Sequence, residues 1–230
     1  MKLTVVGIGP GDPELITIKA IRIINEADLV LMPRSQNGRF PVSEQILKAN
    51  IPDIESIYVT FPMLLDSDES EIFLMNQLER VRDLWQGAEK IVLPVIGDSA
   101  LYSTGFYLFN ALKNLMPSLE IFLVPGISAH QLASSRVSEF LAAGQDVFSV
   151  IPCGKSRNEI SEVLKKSDSA ALYKPSMLRG ALSDIVTKTG PWRRIIRIDR
   201  AGLSDEKIYE GKAALENNGE YLSVLILWRK

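Results

Sequence analysis

Four stretches of the chain place glycine, small hydroxyl residues or a carboxylate directly behind a β-branched apolar run: Gly7 to Asp12, Gly97 to Thr104, Pro125 to Ala129, and Arg200 to Leu203. In α/β proteins the carboxyl ends of strands gather at one edge, and crevices there bind ligands. These stretches offer backbone donors and acceptors, hydroxyls and the carboxylates of Asp12 and Asp98. Around the single histidine, His130, and the single cysteine, Cys153, no nucleophilic constellation can be assembled. Such an inventory suits holding a neutral or cationic nucleotide-like cofactor and leaving the chemistry to it.

The first stretch, Gly7-Ile-Gly-Pro-Gly-Asp12, invites comparison with a dinucleotide-binding turn. That turn needs glycine at all three positions of G-x-G-x-x-G, the third so that helix and strand pack closely. Asp12 stands where the third glycine belongs, and the frame that starts at Gly9 fails at Glu14. A carboxylate at the mouth of a pyrophosphate site repels what a helix N-terminus attracts. Asp28 has the spacing of a ribose-binding acid but precedes the run Leu29 to Met32, whereas that acid belongs at the strand's far end. A nicotinamide or flavin enzyme is disfavoured.

Strand-like and helix-like segments alternate along the chain, the pattern of an α/β protein. Expected strands are Thr4 to Ile8, Leu29 to Met32 (stopping at Pro33), Ile57 to Phe61, Ile91 to Ile96, Ile121 to Val124, Val147 to Ile151, Ala170 to Tyr173, Ile195 to Ile198 and Tyr221 to Trp228. Leu15, Ile18, Ile21 and Ile24 recur at helical spacing, with Asp12 or Thr17 as N-cap and Pro13 suited to a first turn. Further helices are expected behind Asp68, around Phe106 to Leu115, up to about Phe140, near Glu159 to Lys166 and over Leu178 to Lys188. Pro117 behind a helix marks a linker, which divides the chain into α/β domains at 1–116 and 117–230.

A balance of 26 basic and 28 acidic residues argues against a surface that neutralises many nucleic-acid phosphates. One cysteine and one histidine exclude a disulfide framework and a His/Cys-rich metal site, so no metal is expected and Cys153 reads as a packed thiol. The apolar runs are too short to span a membrane, and the opening residues enter a strand at once; the expected location is the cytoplasm. Arg193, Arg194, Arg197 and Arg200 alternate around one strand and read as a solvated face or rim, and His130 as a helix-face residue.

The first loop followed by L-I-T-I-K-A, then G-D-x-x-x-Y-S-T, V-P-G-I-S-A and R-A-G-L-S-D-E resemble, in that order, the tetrapyrrole (corrin/porphyrin) methylases that use S-adenosylmethionine. Within that family, M-P-R-S, F-P-M with an acidic stretch behind it, G-D-S-A-L-Y-S-T-G-F-Y-L and the terminal Y-x-S look most like precorrin-2 C(20)-methyltransferases of cobalamin biosynthesis. The resemblance implies a two-domain α/β fold with an active-site cleft between the domains, a homodimer, and no nucleic-acid or membrane partner. It also implies S-adenosylmethionine, leaving as S-adenosylhomocysteine, on the second domain's side and the tetrapyrrole on the first.

Carried over by position, the resemblance implies cofactor contacts at Pro10, Gly97, Asp98, Leu101, Ser103, Thr104, Ser128, Ala129, Lys174, Ala201 and Gly202. Asp12, Pro33, Arg34, Ser35, Phe61, Pro62 and Met63 are expected to face the tetrapyrrole. Asp12, Asp98 and Tyr102 are the candidates for steering the proton that leaves after methyl transfer. Arg34, Arg39 and Lys174 are the expected cations for the substrate's carboxylates. Ser99, His130 and Lys174 depart from the family pattern, standing where proline, a small or aromatic residue, and an apolar residue are usual. Methylation of another corrin-ring carbon or another tetrapyrrole is the alternative activity, and a non-catalytic S-adenosylmethionine-binding module the alternative class.

Overall fold

The computed structural model describes residues 1–35, 41–62, 67–216 and 220–230, and of Ser67 and Asp68 the backbone alone. It divides into two units, Met1–Ser128 and Ala129–Lys230.

The first unit is built on β1 (Lys2–Gly7), β2 (Leu29–Ser35), β3 (Ile57–Phe61), β4 (Lys90–Val95) and β5 (Glu120–Val124), in the spatial order β3-β2-β4-β1-β5. Every neighbouring pair is parallel, so all the carboxyl ends share one edge. The helices are α1 (Ile18–Asn25), α2 (Val42–Asn50), α3 (Ser67–Arg80), α4 (Arg82–Trp85) and α5 (Gly105–Leu115). β1 shows why its sequence is a continuous apolar run. Leu3 and Val5 enter a core with Leu93 and Leu108, while Val6 and Ile8 enter another with Ala20, Ile24 and Met32, so both faces are buried.

The second unit has β6 (Phe148–Pro152), β7 (Ser169–Tyr173), β8 (Arg194–Asp199), β9 (Lys207–Glu210) and β10 (Ser223–Trp228), ordered β6-β7-β10-β8-β9. β6 and β7 run parallel; β10 is antiparallel to both β7 and β8, and β9 to β8. Its helices are α6 (Ala129–Arg136), α7 (Arg157–Lys165), α8 (Leu182–Thr189) and α9 (Lys212–Leu215). Ser156 and Glu159 close a reciprocal capping box at the start of α7.

Several expectations shift. The division falls after Ser128 rather than after Met116, because β5 pairs with β1 from Lys2↔Glu120 to Val6↔Val124 and completes the first sheet. Pro117 stops a helix without ending a unit. β2 runs on through Pro33 to Ser35: from Pro33 onward it stays in register with β3 alone, having paired with β4 only at Leu29 and Val30, so the proline stands where one side of the strand is an edge. The helix expected over Leu178 to Lys188 is a 3₁₀ segment, Pro175–Ala181, broken at Arg179 and followed by α8. α2, β9 and α9 were not foreseen. Arg197 is no part of a solvated face: it is 3 % exposed, paired with Asp199 at 3.1 Å and stacked 4.4 Å from the Tyr209 ring.

Candidate functional site

At the carboxyl edge of the first sheet the glycine loops behind β1, β4 and β5, which lie side by side, meet backbone to backbone. Gly9 and Gly97 exchange hydrogen bonds, Gly97 N–H to Gly9 O at 2.7 Å and Gly9 N–H to Gly97 O at 3.3 Å. A Cβ on Gly7 would lie 2.7 Å from both Gly126 N and Gly97 O, and one on Gly126 would lie 2.3 Å from Gly97 O. Gly9 (φ +83°) and Gly97 (φ +78°) occupy the left-handed region where side chains are strained. Asp98 locks this knot: its Oδ1 accepts from Ala100 N–H at 2.9 Å and its Oδ2 from Gly126 N–H at 3.0 Å.

The first loop therefore does not cradle phosphate as a dinucleotide turn does. It leads into a 3₁₀ turn, Pro13–Leu15, capped by Asp12, whose Oδ1 accepts from Glu14 N–H at 3.0 Å. α1 starts only at Ile18, capped by Thr17 through Ala20 N–H at 3.1 Å. No α-helix N-terminus stands at the glycines, so the dipole and donors a pyrophosphate needs are missing there. Asp28 is also accounted for: its Oδ2 accepts from Glu89 and Lys90 N–H at 2.9 and 2.8 Å, fastening the start of β4.

Of the positions expected to hold a cofactor, Pro10 and Gly97 are buried, while Asp98, Leu101, Ser103 and Thr104 are half-buried along the same edge. Ser103 Oγ accepts from Gly105 N–H at 3.0 Å and so fixes the start of α5. A Cβ on Gly105 would lie 2.5 Å from Val5 Cγ1, so glycine here lets α5 press onto β1. Tyr102 is half-exposed and left-handed, φ 51°. Strained backbone that its surroundings enforce is a feature of ligand loops. Ser128, the last residue of the first unit, is buried.

Of the residues expected to face the tetrapyrrole, Asp12 stands behind β1, while Pro33, Arg34, Ser35 and Phe61 lie on the other flank of this edge. Pro33, Arg34 and Ser35 on β2 stand in register with Val59, Thr60 and Phe61 on β3. Arg34 donates from Nε to Thr60 Oγ1 at 3.0 Å and lies 5.2 Å from the Tyr58 ring centroid, while Tyr58 Oη donates to Glu44 at 2.8 Å. The Glu44 carboxylate holds the Tyr58 hydroxyl proton and raises its pKa. Phe61 is buried; Met63 and Arg39 lie outside the described residues.

In the second unit, β7 and β8 flank the start of β10, and the chain beyond them carries Lys174, Ala201 and Gly202. Arg200, at φ 55°, donates its N–H to Leu222 O at 2.6 Å and its Nε to Asp205. The Arg200 guanidinium holds the Asp205 carboxyl below the usual carboxylate range. Glu206 accepts from Gly202 N–H at 2.6 Å and pairs with Arg136 at 3.2 Å. Asp205 and Glu206, quoted in the sequence without a role, thus shape the turn that presents Ala201 and Gly202. Ala129 begins α6, and His130 next to it is buried with Nδ1 2.8 Å from Tyr173 Oη. Cys153 is a packed thiol, 3 % exposed, and burial pushes its pKa up to about 12.

Three features escaped sequence reasoning. Ser99 is 4 % exposed, and its Oγ has no hydrogen-bond partner although it sits between Asp98 and Ala100. Tyr221 receives the Lys174 ammonium. The steric role of Gly7 and Gly126 depends on which loops become neighbours. A cavity of about 520 Å³ opens beside Asp28, Leu29 and Ile57, at the amino-terminal ends of β2 and β3, and no predicted site residue lines it. Among the described residues no cluster of His, Cys, Asp and Glu could hold a metal ion, and no helix is long and apolar enough to cross a membrane.

Residues 2–216 match the family Tetrapyrrole (Corrin/Porphyrin) Methylases. The chain is 30 % identical to a probable cobalt-precorrin-2 C(20)-methyltransferase of Methanocaldococcus jannaschii, over 97 % of this chain and 94 % of that one. It is 24 % identical to a precorrin-2 C(20)-methyltransferase of a Sinorhizobium species, over 98 % and 94 % of the two chains. In fold it is similar to uroporphyrin-III C-methyltransferase of Thermus thermophilus, solved with S-adenosylhomocysteine: TM-score 0.70, 20 % identity, 99 % of this chain and 97 % of that one.

Proposed function

Since the chain belongs to the tetrapyrrole (corrin/porphyrin) methylase family, we propose that it transfers the methyl group of S-adenosylmethionine to the C-20 meso carbon of precorrin-2 or cobalt-precorrin-2 in cobalamin biosynthesis. The observation that carries this is the similarity, along nearly the whole of both chains, to a relative named for that reaction.

The residues present fit such a cofactor. A sulfonium nucleoside with an amino-acid tail calls for hydrogen-bonding groups around ribose and amine, and for no strong anion-binding turn. The Gly97 to Thr104 loop supplies backbone groups, the Ser103 and Thr104 hydroxyls and, at Ser99, a buried hydroxyl still lacking a partner. When bound, the cofactor supplies an electrophilic methyl group. The meso carbon of a partly reduced tetrapyrrole is electron-rich, so the substrate brings its own nucleophile and the chain needs no activated side chain. Its task is to align carbon, methyl and sulfur and to exclude water, an effect worth about 7 to 11 kcal/mol of barrier.

In this proposal Pro10, Gly97, Asp98, Leu101, Ser103, Thr104, Ser128, Ala129, Lys174, Ala201 and Gly202 contact the cofactor. Pro33, Arg34, Ser35 and Phe61 face the tetrapyrrole, Arg34 as a cation for one of its carboxylates. Asp12, Asp98 and Tyr102 steer the departing proton. Asp12 and Asp98 already accept backbone N–H groups, so either acts through a remaining lone pair. The working form is taken to be a homodimer, a point sedimentation velocity checks, and its place the cytoplasm, which cell fractionation checks.

The deciding experiment is anaerobic incubation with methyl-labelled S-adenosylmethionine and either precorrin-2 or cobalt-precorrin-2, with carbon NMR of the product. Label at C-20 establishes the reaction, and the faster substrate assigns the aerobic or anaerobic route. Label at another carbon, or none from protein that binds S-adenosylhomocysteine, overturns it.

A further inference from the structure

Lys174 stands directly behind β7 and, among the described residues, pairs with no carboxylate, unlike Lys48, Lys155, Lys165, Lys188 and Lys230. Its ammonium donates to Tyr221 Oη and lies 4.4 Å from the centroid of the Tyr221 ring. An ammonium has three donors, so this contact leaves others uncommitted.

The backbone on both sides is fixed, which makes the arrangement a built one. Lys174 follows the last residue of β7 in the left-handed conformation, φ 55° and ψ 54°, is followed by Pro175, and donates its N–H to Ser223 O at 3.2 Å. Tyr221 is held by its neighbours: Leu222 O accepts from Arg200 N–H, Leu222 N–H donates to Glu220 at 3.2 Å, and Ser223 Oγ donates to Glu220 O at 3.0 Å. A non-glycine residue in the left-handed region persists where its surroundings over-determine it. The Arg200 to Gly202 turn lies against the same segment.

We propose that Tyr221 is a positioning residue that holds the Lys174 ammonium, which has no carboxylate partner among the described residues, as a post for a ligand carboxylate. The aromatic face and hydroxyl stabilise the cation while leaving donors open, and a carboxylate is the group that completes them. This rests on the activity proposed above, whose two ligands both carry carboxylates: the amino-acid tail of the cofactor and the acidic side chains of the tetrapyrrole.

The test compares wild type with K174M, K174R, Y221F and Y221L. Calorimetry first measures S-adenosylhomocysteine against 5′-methylthioadenosine, which lacks the amino-acid tail; KM for the tetrapyrrole is then measured with cofactor saturating. If the carboxylate is the cofactor's, K174M and Y221L weaken S-adenosylhomocysteine about tenfold and leave methylthioadenosine unchanged. If it is the substrate's, both nucleosides bind as in wild type and KM rises about tenfold with kcat retained. Under either source K174R restores part of the loss, and Y221F, which keeps the ring, falls between wild type and Y221L. Unchanged binding and KM in K174M overturn the post; loss in K174M with none in Y221L overturns the role of Tyr221. Failure of the wild type to bind S-adenosylhomocysteine or to transfer methyl is the separate failure of the parent proposal.

Discussion

The carboxylate of Asp98 accepts the backbone N–H of Gly126, 28 positions further along the chain, at 3.0 Å. One acidic side chain thereby joins the loop behind β4 to the loop behind β5, while its other oxygen shapes the turn at Ala100. Asp98→Ala removes both ties and leaves two N–H groups to find water. Hydrogen bonds to a charged group contribute about 1.5 to 3 kcal/mol each, so a loss of about 2 kcal/mol or more is expected in urea denaturation. S-adenosylhomocysteine affinity should fall as well, because the loop that carries Leu101 to Thr104 loses its anchor. Wild-type stability in the variant would show that the knot holds without its carboxylate.

Gly7→Ala and Gly126→Ala are expected to be severely destabilising, since each new Cβ would press on backbone atoms at 2.3 to 2.7 Å. Gly87→Ala is the control: its Cβ meets nothing within 4 Å, and its φ lies outside the left-handed region. That substitution should be neutral or stabilising by about 0.4 to 1 kcal/mol. Thermal melts of the three variants suffice, and comparable losses in all of them would contradict the knot.

Ser99→Ala deletes a hydroxyl that makes no hydrogen bond and is shut off from solvent. Leaving such a group unsatisfied costs about 1 to 3 kcal/mol, so the alanine variant should melt at or above the wild-type temperature. If the hydroxyl meets the cofactor, S-adenosylhomocysteine affinity drops in the same variant. A lowered melting temperature would mean that the hydroxyl is already satisfied in the free protein.

Cys153 should be inert to thiol reagents in native protein at pH 8 and react only as the chain unfolds. Its folded pKa of about 12 lies above the ordinary 9.0 because burial disfavours the thiolate. The unfolded thiol ionises more readily, so this group's stabilising contribution is complete below pH 9 and declines as pH rises from there toward 12. Labelling kinetics with an aromatic disulfide across urea concentrations follow the exposure. Rapid native labelling would contradict the packing.

The alternation of apolar runs and helical spacings was enough to reveal an α/β chain, and most strands lie within a residue or two of their expected places. Local chemistry was equally readable where it acts over a few residues, as at the caps Asp12 and Thr17, although the Ser156 capping box went unread. What depends on tertiary neighbours was not. Pro117 looks like a border until β5 is seen to pair with β1, and the arginines around β8 look solvated until Asp199 and Tyr209 enclose Arg197. Asp98 drew attention as a ligand group. Its partner Gly126 is remote in sequence, so the tie between loops carried no local signal. The positions taken from resemblance gather by unit: Gly97 to Thr104 and Arg34 with Phe61 along the first sheet's edge, Lys174 with Gly202 beside β10.

The knot of Gly7, Gly97 and Gly126 also bears on how the protein can vary. A crowded pair of side chains can be relieved genetically, because a second substitution can trim the neighbour. Here the neighbours are peptide atoms, the same in every amino acid, so a methyl group added at Gly7 or Gly126 meets a wall that no point mutation can thin. In a suppressor screen these lesions should yield true revertants, while a damaged Asp98 still leaves room for another donor or acceptor to step in.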